Sequence, residues 1–344
     1  MGSRVESLAK IILHRWEFRV MHFATLAYRQ LLRASRGGLH RNPARLWAGL
    51  RRTLIRLLND PDCTMEIHGR RLQMPLSHEL PRNLLKYPLY DQLLGRVSDF
   101  YHERQDGFTY IDVGANVGDT LAAVLRSPLD HCLAIEPNPH FVRYLRANWG
   151  QTTQVQIVEE VCSSGEGVEK FQIHQKFGTA EIKLDEQGLT LRRRALDQIV
   201  QDFPLANRVD FLKVDTDGHD LEVLAGARKL IRACQPAVLF ECFPGDDVDF
   251  VTTCLNCLSS FREAGYLEYL VYSNVGDLMG RFRLDEPWAF RNVLLYQLTG
   301  ELPYCDVLLM PPRDLPAFFT READFFIGRL SSPRLQQQVR PAAA

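Results

Sequence analysis

Hydrophobic and polar positions follow two rhythms along this chain. Between residues 3 and 35, Leu8, Ile12, Trp16, Val20, Phe23 and Leu26 recur every three or four positions, which lays an apolar stripe along one face of a helix. Gly37, Gly38 and Pro43 interrupt the pattern, and a second helix is predicted over 44–58 with Trp47, Leu50, Leu54 and Leu58 on one face. Asn59-Asp60-Pro61 ends it. A weak alternation over 64–75 predicts a hairpin, and Leu84, Leu85, Leu93, Leu94, Val97 and Phe100 make 81–101 a helical lead-in.

From Thr109 short apolar runs alternate with helical stretches. Strands are predicted over 109–113, 132–136, 154–158, 209–214, 237–241, 266–272 and 307–310. Helices are predicted over 120–126, 139–148, 194–202, 220–233 and 248–264. Such alternation implies a mostly parallel sheet with helices on both faces. Its ligand is expected at the carboxyl ends of the strands, near the switch point. The chain then divides into a basic helical extension (1–59), a lead-in hairpin and helix (60–108), an α/β domain (109–312), and a C-terminal helix with a flexible tail (313–344).

Charge sharpens that division. The net charge is −1, yet residues 1–59 hold 12 Lys and Arg against Glu6 and Glu17, a balance of +10, and the remainder carries −11. The arm can pack on the body or on a second copy of the chain, or lie on an anionic membrane surface as a basic amphipathic segment. A nucleic-acid partner is not expected. No apolar run is long enough to span a bilayer, and the N-terminus lacks the block of a secretory signal and the Ser or Thr of a myristoylation site. The eight cysteines sit mostly among apolar residues, as reduced thiols of a cytoplasmic protein do. Cys254 and Cys257 form a CxxC with no second pair nearby, so no zinc or redox site is assigned.

The chemistry gathers at strand ends. In Tyr110-Ile111-Asp112-Val113-Gly114-Ala115-Asn116-Val117-Gly118-Asp119 a strand runs into a turn spaced GxxxG, not the GxGxxG that cradles a pyrophosphate. Gly114 and Gly118 let the backbone approach a ligand. Asp112 can accept from a ligand ammonium, directly or through water, and the helix start beside Gly118 and Asp119 suits a carboxylate. Glu136, followed by Pro137 and Asn138, lies 24 residues after Asp112 and can take both hydroxyls of a ribose. An aminoacyl site beside a ribose site describes S-adenosylmethionine. At the next strand end Val161 and Cys162 offer adenine an apolar face, and Glu160 its amino group. Asp215, His219 and Glu241 follow the later strands as candidates for acid–base work, and Asp220 reads as a helix-capping acid.

These blocks resemble the FkbM family of S-adenosylmethionine-dependent methyltransferases. YIDVGANVGDT, AIEPNP, RALDQIV, DFLKVDTDGHDLEVLAGA, AVLFECFP and AGYLEYLVYSNVGDLM carry the likeness, over roughly residues 80–311. The resemblance implies a Rossmann-like class I methyltransferase fold with a mostly parallel seven-stranded sheet, and methylation of an oxygen, commonly on a sugar or polyketide. It assigns Asp112, Gly114, Asn116, Gly118 and Glu136 to the cofactor motif, and Asp215, Gly218, Asp220 and Glu241 to the second signature. Val161-Cys162-Ser163-Ser164 departs from the family's usual acidic residue after the third strand.

The expected function is O-methylation of a sugar hydroxyl in a glycan or glycolipid precursor, at the cytoplasmic face of the membrane. Methyl transfer needs alignment and removal of a proton; Asp215 is the first choice of base, with His219 and Glu241 as alternatives. A metal-assisted small-molecule O-methyltransferase, with a divalent ion at Asp215 and Glu241, is one alternative. A catalytically inactive cofactor-binding or interaction module is another. The missing GxGxxG argues against a nicotinamide enzyme.

Overall fold

The chain opens with two helices, α1 (Gly2–Arg36) and α2 (Arg41–Leu57). The structure, a computed structural model, describes residues 2–36, 41–176, 178–203, 207–245, 248–300 and 302–340. Gly37 and Gly38, and the side chains of Leu8 and Ile12, lie outside the described residues. Pro43 falls in the first turn of α2, where its missing N–H costs no hydrogen bond; the helix therefore starts before residue 44. Ala24, Ala27, Tyr28, Leu31 and Leu54 pack these helices into the core shared with the body.

Next come the hairpin β1 (Asp62–Ile67) and β2 (Arg70–Pro75), then α3 (Leu80–Lys86) and α4 (Gln92–His102). One lead-in helix was expected and two are found. Pro88 disfavours helical backbone at Tyr87, and Asp91 takes a left-handed φ of 57°. The break carries Tyr87, Tyr90 and Asp91 into the site described below.

The body then runs β3 (Thr109–Val113), α5 (Asp119–Val124), β4 (His131–Ile135), α6 (Pro139–Trp149) and β5 (Val155–Val158). An insertion follows: β6 (Val161–Ser163), β7 (Gly167–Lys176), β8 (Thr179–Leu184) and β9 (Leu189–Ala195). The chain continues through α7 (Leu196–Ile199), β10 (Phe211–Val214), α8 (Asp220–Ala225), α9 (Arg228–Cys234), β11 (Ala237–Cys242) and α10 (Phe250–Glu263). It finishes with β12 (Glu268–Ser273), β13 (Leu278–Arg283), α11 (Pro287–Thr299), β14 (Cys305–Leu309), α12 (Leu315–Gly328) and α13 (Pro333–Val339).

Among the described residues the main sheet has eight strands, in the order β13-β12-β14-β11-β10-β3-β4-β5. The pairs from β11 to β5 are parallel, and those joining β14 and β13 to their neighbours are antiparallel. The expectation of seven strands is corrected by β13, a half-exposed strand with Gly280 in its middle that folds back on β12. From β3 the chain winds outward to β5, then returns to β10 and winds the other way. The switch point therefore lies between β3 and β10.

Strand alternation divides the core. Ile111, Val113, Leu212 and Val214 face one apolar cluster with α8 to α11; Tyr110 and Phe211 face the other, with α1 to α6 and α12. The expected helix over 194–202 begins instead as the end of β9. Strands β6 to β9 form a separate four-stranded sheet. The hydrophobic pattern missed it because Arg192, Arg193 and Arg194 are satisfied by Glu160, Glu166, Glu169 and Asp202 rather than by an apolar layer. The CxxC lies on α10, with Cys254 Sγ 3.2 Å from Cys242 Sγ, and all eight cysteines are free thiols.

The C-terminal helix α12 is tied to the body by a buried carboxylate. Glu322, 1% exposed, accepts from Arg96 Nε at 2.6 Å, Arg96 Nη2 at 3.0 Å and Tyr272 Oη at 2.8 Å. Removing the guanidinium leaves a buried charge without its cation, which costs about 3–5 kcal/mol. Arg96→Ala is expected to lower unfolding stability by that order in urea denaturation, and a loss below about 1 kcal/mol would contradict the assignment.

Candidate active site

A cavity of about 560 Å³ opens at the carboxyl ends of β3, β4 and β10, within the range of about 300–1,000 Å³ usual for small-ligand sites. The lead-in segment, the motif loop, the insertion hairpin β7–β8 and the 304 region all contribute walls.

Glu136 lies at its edge, 5% exposed. Its two oxygens accept the backbone N–H groups of Asn116 at 2.9 Å and Asn138 at 2.8 Å. Each oxygen keeps a lone pair for a further donor, the arrangement a vicinal diol needs. Burial pushes the Glu136 carboxyl up to about 7, against the two backbone donors that favour its charge. Pro137, Val161, Phe141 and Ile135 supply an apolar wall beside it.

Several assignments from the sequence change. Asp112 is fully buried and does not border the cavity. It points onto the sheet face covered by α5, accepting from Thr120 Oγ1 and pairing with Lys213 Nζ at 3.3 Å. Its register partner across β3 and β10 is Lys213 itself. Burial raises the Asp112 carboxyl although Lys213 and Thr120 lower it. It braces the wall, and the acids that border the cavity near it are Asp119 and Asp91. Burial pushes Asp119 up to about 6 and Asp91 up to about 8, with the charge of Asp119 adding to the rise at Asp91. The carboxylate expected to bind at the start of α5 meets Asp119 there instead, on a helix of only six residues.

Gly114 does border the cavity, at φ 83°, but a Cβ there would sit 1.8 Å from Asp215 O. Gly118 does not; a Cβ would strike the Trp149 ring at 2.5 Å. Close packing of the chain on itself already requires these two glycines. Glu160 does not border the cavity: Arg194 holds it at 2.5 and 3.1 Å and Arg192 at 3.5 Å. Asn138 lies behind the wall, where its Oδ1 caps α6 through His140 N at 3.0 Å.

Asp215, His219 and Glu241 all border the cavity. Asp215 is ion-paired with Lys213 at 3.0 Å. His219 stands 3.9 Å from Glu222, whose carboxyl that contact holds down to about 2. Asp220 is a brace: its Oδ2 accepts Thr216 N and Oγ1, and its Oδ1 accepts Glu241 N at 3.0 Å. Lys213 is the buried cation at the centre. Burial pulls its ammonium down, but Asp112 and Asp215 hold it well above its ordinary value.

The sequence reading missed His78, Tyr87, Tyr90, Asp91, Lys213, Asn274 and Tyr304. A lysine inside an apolar strand was a usable signal, since a buried ammonium needs carboxylates around it; the others come from segments whose approach only the fold sets. His78 is tied to the motif loop. Its Nδ1 accepts from Leu80 N at 3.3 Å, which leaves Nε2 to donate to Asn116 Oδ1 at 3.3 Å. Burial lowers His78 to about 4, so it is neutral. Asn116 Nδ2 donates in turn to Gly178 O at 2.7 Å, anchoring the β7–β8 hairpin. The 76–79 segment is itself clamped by Arg51, which donates to Leu76 O, Ser77 O and His78 O and pairs with Glu79, and by Tyr28 Oη, 2.5 Å from His78 O.

A diol acceptor at Glu136, carboxylates for cationic groups and an apolar face fit S-adenosylmethionine. The fold and this site define a class I, Rossmann-like methyltransferase that depends on that cofactor. Residues 112–268 match the Methyltransferase FkbM domain. The fold is similar to that of a methyltransferase FkbM from Methylobacillus flagellatus KT, at 14% identity over 78% of this chain and 71% of that one, with a TM-score of 0.38. It is also similar to a precorrin-6y C5,15-methyltransferase from Geobacter metallireducens GS-15 (13% identity, 63% and 87% covered, TM-score 0.33). Aeropyrum pernix fibrillarin, solved with natively bound S-adenosyl-L-methionine, aligns at 10% identity over 60% of this chain and 67% of its own, with a TM-score of 0.35. No curated protein matches the sequence. Among the described residues no group of three or more His, Cys, Asp or Glu side chains is arranged to hold a metal ion.

Two outcomes follow. Ribose hydroxyls donate to the Glu136 carboxylate, so bound ligand favours its charged form, while the free site takes up a proton as pH falls through about 7. Affinity for S-adenosylhomocysteine should therefore fall below that pH, by up to about tenfold per unit. Glu136→Gln should bind weakly with a flatter profile; calorimetry across pH 6 to 8 showing the same slope in both proteins would refute the assignment. Arg51→Ala should weaken the same binding on the order of tenfold by loosening the His78 segment, while the exposed neighbour Arg52→Ala should leave it unchanged.

Proposed function

We propose that this methyltransferase transfers its methyl group to a hydroxyl of a sugar, in a glycan or glycolipid precursor. The observation that carries this reading is the polar end of the cavity. Asp215 and Glu241, with Tyr90, Tyr304 and Asn274, border it beyond the apolar wall near Glu136. Closely set acceptors and donors suit a polyol, whose hydroxyls must each find a partner once buried.

The cofactor supplies an activated methyl group. Glu136 would hold its ribose, Asp119 and Asp91 would face its cationic aminoacyl end, and the β7–β8 hairpin walls one side of the cavity. Carboxylates at the polar end orient the hydroxyl and accept its proton.

The reading extends to place. On α1, Trp16, Phe18, Phe23 and Leu26 are exposed, as are Leu46 and Leu57 on α2. The exposed cations Arg19, Arg29, Arg33, Arg45, Arg52 and Arg56 lie among them. No described helix is long and apolar enough to cross a membrane. Exposed aromatic and basic residues of this kind support a peripheral position at the cytoplasmic face of an anionic bilayer, beside a lipid-linked acceptor.

Radiolabelled methyl transfer tests both parts. Lipid-linked oligosaccharide in phosphatidylglycerol vesicles is expected to be labelled several-fold faster than the same glycan freed from lipid. Labelling that is alkali-stable and lies on sugar oxygen supports O-methylation. No transfer to any hydroxylated glycan would remove the sugar reading, and equal rates on both acceptors would remove the membrane part.

A further inference from the structure

Glu241 on β11 and Asp306 on β14 stand directly opposite each other in the antiparallel register. Such cross-strand partners hold their Cβ atoms about 5 Å apart on one face of the sheet, where two like charges repel. Both border a second cavity of about 60 Å³ that adjoins the main one and shares Lys213, Asp215, Glu241 and Tyr304 with it.

Among the described residues no cation is ion-paired with either carboxyl, although the Lys213 ammonium acts on Asp306 against its acidic neighbours. Lys213, on the next strand, pairs with Asp112 and Asp215. Apart from Lys213, the groups that face the pair from other elements are acidic or phenolic. Asp215 and Asp217 reach it from the end of β10, and Asp220 from α8. Asp91 faces it from the break between α3 and α4, and Tyr90 and Tyr304 lie within its field. Neither carboxyl of the pair has a hydrogen bond or ion pair among the described residues. Asp215, the first choice from sequence, is already balanced by an ammonium 3.0 Å away.

We propose that Glu241 and Asp306 share one proton in the free enzyme, release it when the cationic cofactor binds, and accept the acceptor's hydroxyl proton during transfer. Glu241, which borders both cavities, is the catalytic residue that touches the hydroxyl; Asp306 is a positioning residue that acts through it. The inference rests on the cofactor reading above. In the step, the acceptor O–H bond breaks and its proton passes to Glu241. The oxygen electron pair forms the new O–CH3 bond. The S–CH3 bond breaks with its electrons left on sulfur, which becomes neutral. The pair gains a positive charge as the sulfur loses one, so the buried site keeps its total charge, which a low-dielectric interior favours. Burial, with the charges of Asp215 and Asp306, already pushes Glu241 well above the carboxylate range; burial, Asp215 and Asp91 do the same for Asp306.

Calorimetric titration in phosphate and in Tris near pH 7 counts the protons exchanged on binding. S-adenosylmethionine and S-adenosylhomocysteine share the aminoacyl, ribose and adenine groups, so the acids that meet those groups cancel in the comparison. S-adenosylmethionine is expected to release more protons, by roughly half a proton or more. The near-isosteric Glu241→Gln and Asp306→Asn should each cut that excess at least about twofold while S-adenosylhomocysteine affinity stays within about twofold. Equal release for the two ligands, or an excess untouched in both variants, overturns the proposal. Failure of both ligands to bind the native protein overturns the cofactor reading itself, and this inference with it.

Discussion

One buried ammonium organises this molecule. Lys213 lies in the centre of the sheet, on the strand that begins the second half of the winding, and it pairs across the switch point with Asp112 of the first half. Its other partner, Asp215, stands where β10 ends and the cavity begins. A charge so deeply placed is tolerated only with partners in good geometry. The pairing therefore ties the two halves of the sheet together at the point where a cleft must open. It also divides the surrounding carboxyl groups into those that are compensated and those that are not. Asp112 and Asp215 are ion-paired with their cation, whereas Glu241 and Asp306 face each other with no ion pair among the described residues. A cationic ligand fits a cavity walled in this way.

The cavity is assembled from parts far apart in sequence. The matched domain, residues 112–268, supplies the motif loop, Glu136, Asp215, Glu241 and the insertion hairpin. The lead-in segment adds His78, Tyr90 and Asp91, and the region after the domain adds Asn274 and Tyr304. One hydrogen-bonded chain joins the pieces, from Arg51 through the 76–79 backbone to His78, Asn116 and Gly178. Asn116 is its hub, because its side chain meets both the lead-in and the hairpin while its backbone N–H meets Glu136. The basic extension thus does two jobs on two faces. Tyr28 and Arg51 point inward and hold the wall of the cavity, while arginines and aromatic side chains point outward.

Much of this was legible beforehand, and the misses share a cause. Alternating apolar strands and amphipathic helices identified the sheet, the position of β3 to within a residue, and the order in which the strand ends carry Asp112, Glu136, Asp215 and Glu241. Those patterns come from burial on one or both faces, which acts on every second or every third to fourth residue and is visible in one dimension. The β6–β9 sheet was invisible because its arginines are satisfied by carboxylates rather than by apolar contacts, so no alternation marks it. Strand β14 begins at Cys305, two residues before the expected start, and that difference brings Asp306 into register with Glu241.

The sequence alone determined the class of fold and the cofactor, since those follow from local periodicity and motif spacing. Only the tertiary structure decided which face each acid turns to. Asp112 goes inward to Lys213, Glu160 outward to Arg194, and Asp91 into the cavity from a segment that read as uninterrupted helix. Side-chain direction at a strand end depends on the partner waiting there, and partners brought together by long-range pairing leave no local trace. The same limit applies to charge: 42 acidic residues can be counted in the chain, but which of them lack a counter-charge is settled only when the strands are laid side by side.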